Sequence, residues 1–311
     1  MALALPAGVT KNIDHFTGRT WLLPVVLHWL EGTGERLLII SGGPGTGKSM
    51  IMAWLAGVGP SLADPIDRGR LQRIRDHVKA AHFCMAGTGT TDPEAMARSL
   101  AEQLLSKVPK FQAALLATLS DRAVVDIDQH VGTVMAGGSV TGINTLNLAG
   151  LGEERSFNIA LRRPLQRLYE NGFDDTILLL VDALDEAVTY RGATDIARLL
   201  AKLDDLPARV RVLATTRPSP EVLKHFRGLD PLDLLEDAPP DVDDVRDYVR
   251  GRLRDVAEES RRSLADGIAH AAEGNFLYAA LVLEDLLPRL LEIGDLAAYP
   301  LPKRLPGLYH S

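Results

Sequence analysis

The sequence predicts an α/β protein in which helices cover both faces of a mostly parallel sheet. Four short apolar runs have the length and composition of strands buried on both faces, and amphipathic segments separate them along the chain. These predicted strands are residues 36–41, 79–86, 176–182 and 210–215. A poorer fifth run, 229–234, contains Pro231, which restricts it to an edge of the sheet. Strands that alternate with helices in this way favour a parallel sheet.

Hydrophobic spacing and terminal signals predict the helices. A helix over residues 21–30 is expected to be the first folded element, and a second one is expected over residues 48–56. Asp92-Pro93-Glu94 supplies an N-cap, a proline at the first helical position and an early acid, so a helix begins there. The amphipathic segment 157–169 contains Pro164, which predicts a kink or a division.

One segment breaks the alternation of strands and helices. Around residues 123–149, apolar residues alternate with polar ones on both sides of Gly137-Gly138. This pattern predicts a β-hairpin inserted into the α/β domain. We assign no chemistry to the hairpin and expect a structural or partner-contacting flap.

The composition changes near Glu236, where an acidic stretch with two prolines begins. Only helical patterns follow it, over residues 242–253, 263–272 and 276–291. The predicted organisation is an α/β domain of residues 1–236, a small all-helical domain of residues 237–298 and a linker-like tail of residues 299–311.

Composition and charge exclude several classes of protein. The chain has 311 residues, of which 46% are hydrophobic and 24% charged, and this is enough apolar material for a core. A net charge of −7 argues against a protein that coats nucleic acid, since such proteins carry a basic stripe. The single cysteine excludes an internal disulfide, and no apolar run is long enough to span a membrane. We therefore expect a cytoplasmic protein without a direct nucleic-acid or membrane partner.

The segment Gly42-Gly43-Pro44-Gly45-Thr46-Gly47-Lys48-Ser49 fits the pattern G-x-x-x-x-G-K-[ST] of a phosphate-binding P-loop. Its glycines allow successive backbone N–H groups to surround phosphates, and the following helix adds the positive end of its dipole. Lys48, a binding and catalytic candidate, is expected to reach the β- and γ-phosphates, while the Ser49 hydroxyl would bind Mg²⁺. Met50 completes the predicted binding set. The predicted fold is therefore that of a P-loop NTPase.

Residues at the ends of two other strands supply the usual companions of a P-loop. Asp182 ends an apolar strand and is expected to hold Mg²⁺ through water. The next residue is Ala183, so the role of base or water-orienting group falls to Glu186 or Asp185. Arg217 follows the fourth strand, where a cation is well placed to sense a γ-phosphate.

Together these segments resemble the NACHT-type nucleotide-binding module of the STAND signal-transduction ATPases. The segments are FTGR (16–19), GGPGTGKS (42–49), AHFC (81–84), LLLVDALDEA (178–187), VLATTRP (212–218) and GNFLYA (274–279). The similarity runs from about Phe16 to Tyr309, and its most specific part is the small residue that follows the first acid of D-A-L-D-E.

The resemblance implies further site residues. Thr17, Gly18 and Arg19 would lie beside the base and ribose of the nucleotide, and Arg217 would sense its γ-phosphate. Phe276 occupies the position where related modules place a proline against the adenine. Stacking near a base and packing in a core both remain open for this ring.

The function implied is an ATP/ADP-binding switch with slow ATP hydrolysis. ADP would hold a closed monomer, and ATP would favour self-association into a homo-oligomer. The chain is expected to be the nucleotide-binding core of a larger protein, with effector and sensor parts outside it. A nucleotide-dependent scaffold with negligible hydrolysis is the alternative. A mechanical AAA+-like motor is disfavoured, because such motors often carry a glutamate at the position of Ala183.

Overall fold

A five-stranded parallel sheet forms the centre of the computed structural model, which describes residues 3, 5–120, 146, 148, 150–240, 242–289 and 301. The strands are β1 (Leu37–Ser41), β2 (Val78–Phe83), β3 (Ile177–Asp182), β4 (Val210–Thr216) and β5 (Leu232–Asp233). Their order is β2-β3-β4-β1-β5, and all four neighbouring pairs are parallel. Strand β5 lies at the edge, next to Pro231, as the sequence predicts.

The central strands are buried on both faces of the sheet. Along β3, Ile177, Leu179 and Val181 enter one hydrophobic cluster, whereas Leu178 and Leu180 enter the other. Successive side chains of a strand point to opposite faces. An uninterrupted apolar run is therefore what a strand between two helical layers requires.

Helices form a layer on each face, which confirms the predicted α/β architecture. One layer contains α1 (Ala7–Asn12), α2 (Leu22–Glu31), α3 (Lys48–Leu55) and α4 (Pro65–His77), with a 3₁₀ turn at Ile13–His15. The opposite layer contains α5 (Pro93–Lys107), α6 (Phe111–Leu119), α7 (Glu153–Phe157), α8 (Arg163–Glu170), α9 (Leu184–Ala187), α10 (Ile196–Leu200) and α11 (Pro220–Leu223).

The sequence pattern misses several of these helices, among them α1, α4 and α6, and its expected first element is wrong. Helix α1 precedes the predicted helix over 21–30, but it has only 6 residues and buries only Val9, so it carries no periodic signal. Helix α4 is mostly polar and buries only Leu71 and Ile74. Helix α6 (FQAALLATL) is apolar around most of its circumference. Neither α4 nor α6 has the single broad apolar stripe typical of a surface helix.

The helix that contains Pro164 is divided, as predicted. Between α7 and α8, residues Asn158–Arg162 form a π-helix, and the N–H of Arg163 donates to the carbonyl of Asn158, five residues earlier. Proline has no N–H group and its ring clashes with the carbonyl four residues before it. A wider π turn accommodates the ring without ending the helical segment.

In the described part of the chain, three helices follow the sheet and pack around a hydrophobic cluster of their own. They are α12 (Asp244–Arg252), α13 (Glu258–Ala272) and α14 (Phe276–Leu286), followed by a 3₁₀ turn at Leu287–Arg289. Two of them begin at side-chain caps, since Asp243 accepts from the N–H of Arg246 and Asn275 from that of Tyr278. The predicted run of helices is confirmed, while the domain boundary at Glu236 stays a prediction.

Two other predictions concern residues outside the described part of the chain. The hairpin around 123–149 lies there except for Leu146 and Leu148, which are buried in the same cluster as α5. The tail 299–311 lies there except for Leu301. Within the described part of the chain, none of the helices combines the length and the apolar composition needed to cross a bilayer.

Candidate nucleotide-binding site

A cavity of about 420 Å³ opens at the carboxyl-terminal edge of the sheet, where the P-loop follows β1 and where β3 and β4 end. In parallel α/β sheets this edge is the usual position of a ligand site. Most of the predicted site residues line this cavity. They are Thr17, Arg19, Pro44, Gly45, Gly47, Lys48, Ser49, Met50, Asp185, Glu186, Arg217 and Phe276.

Five predicted residues lie behind the cavity wall instead. Gly42 and Gly43 accept hydrogen bonds from Lys48, and the Thr46 hydroxyl donates to the carbonyl of Gly43 at 2.9 Å. Gly18 packs so closely against Asp244 that a Cβ atom would clash with its side chain. Asp182 is 1% exposed and lies beneath the loop. These residues shape the site from behind, and their predicted binding roles stay predictions.

The P-loop presents the start of helix α3 to the cavity. Gly45 (φ +76°) and Gly47 (φ +93°) adopt left-handed conformations that favour glycine. No side chain caps α3, and Lys48, Ser49 and Met50 of its first turn all line the cavity. The first N–H groups of a helix have no acceptor within the helix, so they form a natural site for an anion.

Lys48 folds back over the loop. Its Nζ donates to the carbonyl of Gly42 at 2.6 Å and to that of Gly43 at 2.8 Å. Burial lowers the pKa of this ammonium, while Asp185 and Asp182 oppose that change. The side chain is therefore a partly buried cation held beside the first turn of α3.

Asp182 is a buried carboxylate at the end of β3. Its Oδ1 accepts from the Thr215 hydroxyl at 2.5 Å, whereas Oδ2 receives no hydrogen bond from any residue that the structure describes. Burial raises the pKa of this carboxyl to about 6, opposed by the Ser49 and Thr215 hydroxyls and by Lys48. An unsatisfied buried oxygen next to a hydroxyl fits a hard cation such as Mg²⁺.

A Mg²⁺ ion here would take part of its coordination shell from outside the protein. Among the described residues, no three His, Cys, Asp or Glu side chains are grouped as a metal site. Mg²⁺ is commonly held by one or two protein oxygens together with phosphate oxygens and water. Ser49 and Asp182 would supply the protein part of such a site.

The two acids after Ala183 have different partners. Ala183 adopts a left-handed conformation (φ 58°), and its N–H donates to Thr215, so the chain turns sharply from β3 into α9. Asp185 then accepts a hydrogen bond from the backbone N–H of Arg217 at 3.0 Å, and it forms an ion pair with Nε of the same arginine, also at 3.0 Å. Glu186 instead accepts from the N–H of Ala86, beyond β2, through Oε2 at 2.7 Å.

The start of α14 contacts the P-loop directly. The carbonyl of Gly45 accepts from the N–H of Phe276 at 2.9 Å and from that of Leu277 at 3.4 Å. The side chain of Asn275 donates to the carbonyl of Pro44 at 3.2 Å. The ring of Phe276 lines the cavity and also packs against the helical cluster. Core packing is thus observed for Phe276, and stacking on a base stays a prediction.

Arg19 is 3% exposed and is bonded to three parts of the protein. Its guanidinium donates to the carbonyls of Leu234 at 2.9 Å and Thr46 at 3.0 Å, and it forms an ion pair with Asp244 at 3.4 Å. Its backbone N–H also donates to Asp244 at 3.0 Å. Burial lowers the pKa of the guanidinium and Asp244 opposes this change. Arg19 borders the cavity, but these donors are directed at protein groups.

Sequence reasoning misses one wall of the cavity and the partner of Arg19. The N-terminal segment contributes six lining residues, and the helical unit contributes three beside Phe276. They are Pro6, Gly8, Val9, Asn12, His15, Phe16, Tyr248, Leu277 and Ala280. Of these residues, Phe16 and Leu277 belong to segments with a family resemblance, and α1 and α12 carry no local signal for a ligand.

We predict that Gly45→Ala loosens the contact between α14 and the P-loop. A Cβ atom at Gly45 would clash with the Asn275 side chain and lie 2.9 Å from the Cβ of Leu277. The free energy of unfolding should fall by at least about 2 kcal/mol more than in Gly89→Ala. Gly89 has a similar φ of +79° and open space around it, so its variant isolates backbone strain. If denaturant unfolding showed the same loss of unfolding free energy in both variants, this contact would be contradicted.

We predict that the buried Asp182 carboxyl makes stability depend on pH in the absence of divalent cations. Its pKa is raised to about 6, so the folded protein favours the protonated form. The protonated carboxyl therefore raises the free energy of unfolding below about pH 4, relative to neutral pH, by on the order of 2–3 kcal/mol. This stabilisation is lost as the pH rises through about 6. Denaturant unfolding of wild type and Asp182→Asn from pH 4 to 7 measures it. If the two proteins differed in free energy of unfolding by the same amount at every pH in this range, the assignment would be refuted.

Comparison with known proteins gives one partial family match. A family model described as Nephrocystin 3, N-terminal, matches residues 18–133, which is less than half of the chain. The matched region includes the P-loop and β2. No curated protein sequence is a significant match to this chain.

Solved structures give distant matches. The Aeropyrum pernix ORC1 protein in complex with DNA is 15% identical with a TM-score of 0.45, covering 92% of this chain and 63% of that one. A Walker-type ATPase of Pyrococcus abyssi is 15% identical with a TM-score of 0.46, covering 89% and 75%. Drosophila ORC bound to DNA is 18% identical with a TM-score of 0.42, covering 96% and 65%. This chain thus spans less than two thirds of both ORC chains. The α/β P-loop fold follows from the strand order and the loop geometry themselves.

Proposed function

We propose that this chain binds ATP or ADP together with Mg²⁺ and acts as a STAND-type switch with slow ATP hydrolysis. The observation that carries the proposal is the shared cavity, in which the uncapped start of α3 and Lys48 face the same space as Arg217. Backbone N–H groups and two cations together match the charge and shape of a polyphosphate. The Asp182 carboxylate beneath them supports the Mg²⁺ assignment.

Each residue contributes a separate step to this activity. The N–H groups of the loop and Lys48 bind the phosphates, and Ser49 and Asp182 hold the cation. Mg²⁺, when bound, neutralises charge on the phosphate oxygens. Glu186 orients the attacking water and accepts its proton, because its Oε1 receives no hydrogen bond from the described residues. Arg217 stabilises charge on the γ-phosphate.

The same cavity supports a switch because ATP and ADP differ at one end of it. Arg217 can engage a γ-phosphate only in the ATP state, and a ligand shifts a conformational equilibrium through such differential contacts. Phe276 and Leu277 bond to the loop, so the position of the helical unit is coupled to the loop's conformation. We propose that this coupling controls self-association in the cytoplasm, with effector and sensor parts outside this chain.

A scaffold that binds nucleotide without hydrolysing it is the second candidate. The observation that favours it is Ala183, which stands directly after Asp182 and carries no carboxylate. Glu186 comes three residues later and is already bonded to a backbone N–H. Two of the structurally similar proteins are bound to DNA, but the net charge of −7 of this chain argues against a protein that coats nucleic acid. We propose no nucleic-acid partner.

We predict that Lys48→Ala weakens binding of ADP and ATP by at least about 100-fold, because the charge-assisted bonds to the phosphates are lost. Isothermal titration calorimetry with Mg²⁺ present measures both affinities. Lys107→Ala is the control, since this lysine lies in the last turn of α5 and does not line the cavity. Unchanged affinity in Lys48→Ala would remove the basis of the proposal.

We predict that Glu186→Gln binds ATP within about twofold of wild type but hydrolyses it about 10²–10⁴ times more slowly. The amide keeps the hydrogen bond to Ala86 and loses the ability to accept a proton. Single-turnover hydrolysis measures this effect. Hydrolysis at the wild-type rate would exclude Glu186 as the base, and a wild type that binds ATP without any turnover would favour the scaffold.

A further inference from the structure

We propose that Asp185 is a positioning residue that holds Arg217 at the phosphate end of the cavity, so that discrimination between ATP and ADP depends on this carboxylate. The inference rests on the proposed function and assigns a regulatory role within the same site. It also separates the two acids that the sequence leaves equivalent.

The carboxylate contacts one edge of the arginine only. Asp185 Oδ2 lies 3.0 Å from Nε of Arg217, and Oδ1 accepts from its backbone N–H at 3.0 Å. None of the residues that the structure describes accepts a hydrogen bond from the two terminal guanidinium nitrogens. The Arg217 side chain lines the cavity and is 43% exposed, whereas that of Asp185 is 13% exposed. The free edge of the guanidinium is therefore available to a phosphate while the other edge stays paired.

The backbone of Arg217 is fixed at the same point. Its carbonyl accepts from the Thr216 hydroxyl at 2.8 Å and from the N–H of Ser219 at 2.6 Å. With the N–H bonded to Asp185, both backbone polar groups of Arg217 have partners. A long arginine side chain loses much rotamer freedom on binding an anion. Asp185 restricts that freedom before the ligand arrives, which favours binding.

This bonding pattern makes Asp185 a poor proton acceptor for catalysis. Its Oδ1 accepts a hydrogen bond from the backbone N–H of Arg217, and its Oδ2 is ion-paired with the guanidinium of the same residue, a permanent cation. Glu186, by contrast, has one oxygen with neither kind of contact among the described residues. Partly exposed ion pairs contribute little to stability. Loss of Asp185 should therefore change ligand discrimination much more than it changes folding.

A double-mutant cycle tests the inference on the full chain. We would measure dissociation constants for MgADP and for a non-hydrolysable ATP analogue in wild type, Asp185→Ala, Arg217→Ala and the double variant. Each single variant should weaken binding of the analogue about tenfold or more while leaving ADP affinity within about twofold. The double variant should be no worse than Arg217→Ala, because both changes remove one contact. Asp185→Asn keeps one acceptor oxygen and should be intermediate.

Asp195→Ala is the matched control. Asp195 also accepts from the backbone N–H of an arginine, Arg198, and pairs with its Nε, and the two pairs have similar exposure. It does not line the cavity, so the affinities should not change. The inference would be overturned if Asp185→Ala and Asp185→Asn bound the analogue with wild-type affinity. It would also be overturned if the losses of affinity in the two single variants added in the double variant. Neither result would contradict the proposed function. A wild type that binds neither nucleotide would contradict the proposed function as well.

Discussion

The arrangement of the site depends on one buried cation, Arg19. Its guanidinium joins the carbonyl of Thr46 in the P-loop, the carbonyl of Leu234 after the edge strand and the carboxylate of Asp244 at the start of α12. Three segments that are distant in sequence thus meet at one side chain. Removing one partner of a buried ion pair costs about 3–5 kcal/mol, because the other charge is left unpaired. This cluster therefore ties the helical unit to the loop.

The parallel sheet brings the remaining chemistry to the same edge. Strand β4 lies between β1 and β3, so the ends of all three strands are adjacent. The hydroxyl of Thr215 donates to Asp182 and accepts from Ala183, and this joins the end of β4 to the turn after β3. The acids of α9 are consequently placed opposite Arg217. A change at either strand end would move both the candidate base and the candidate γ-phosphate sensor.

The features of the site that the sequence predicts are those encoded within short segments. The P-loop pattern, the buried acid at a strand end and the arginine after β4 each depend on a few neighbouring residues, and all of them lie at or beneath one cavity. The pairing of Arg19 with Asp244 spans 225 residues, and that of Pro44 with Asn275 spans 231. Such contacts depend on tertiary packing and produce no periodic pattern in the sequence. The N-terminal wall of the cavity was missed for a related reason, because α1 is too short to show a pattern.

The hydrogen bonds accepted by the carbonyl groups of the P-loop link the loop to the helical unit. Every carbonyl from Gly42 to Thr46 accepts a hydrogen bond from a protein donor, either from Lys48, from Arg19 or from the start of α14. Since the negative ends of these peptide dipoles are satisfied, the loop offers mainly N–H groups to an incoming anion. Two of the five carbonyls depend on the helical unit for their donors. Displacement of α14 would therefore leave those carbonyls unpaired beside the phosphate site, and phosphate affinity and helix docking should favour each other.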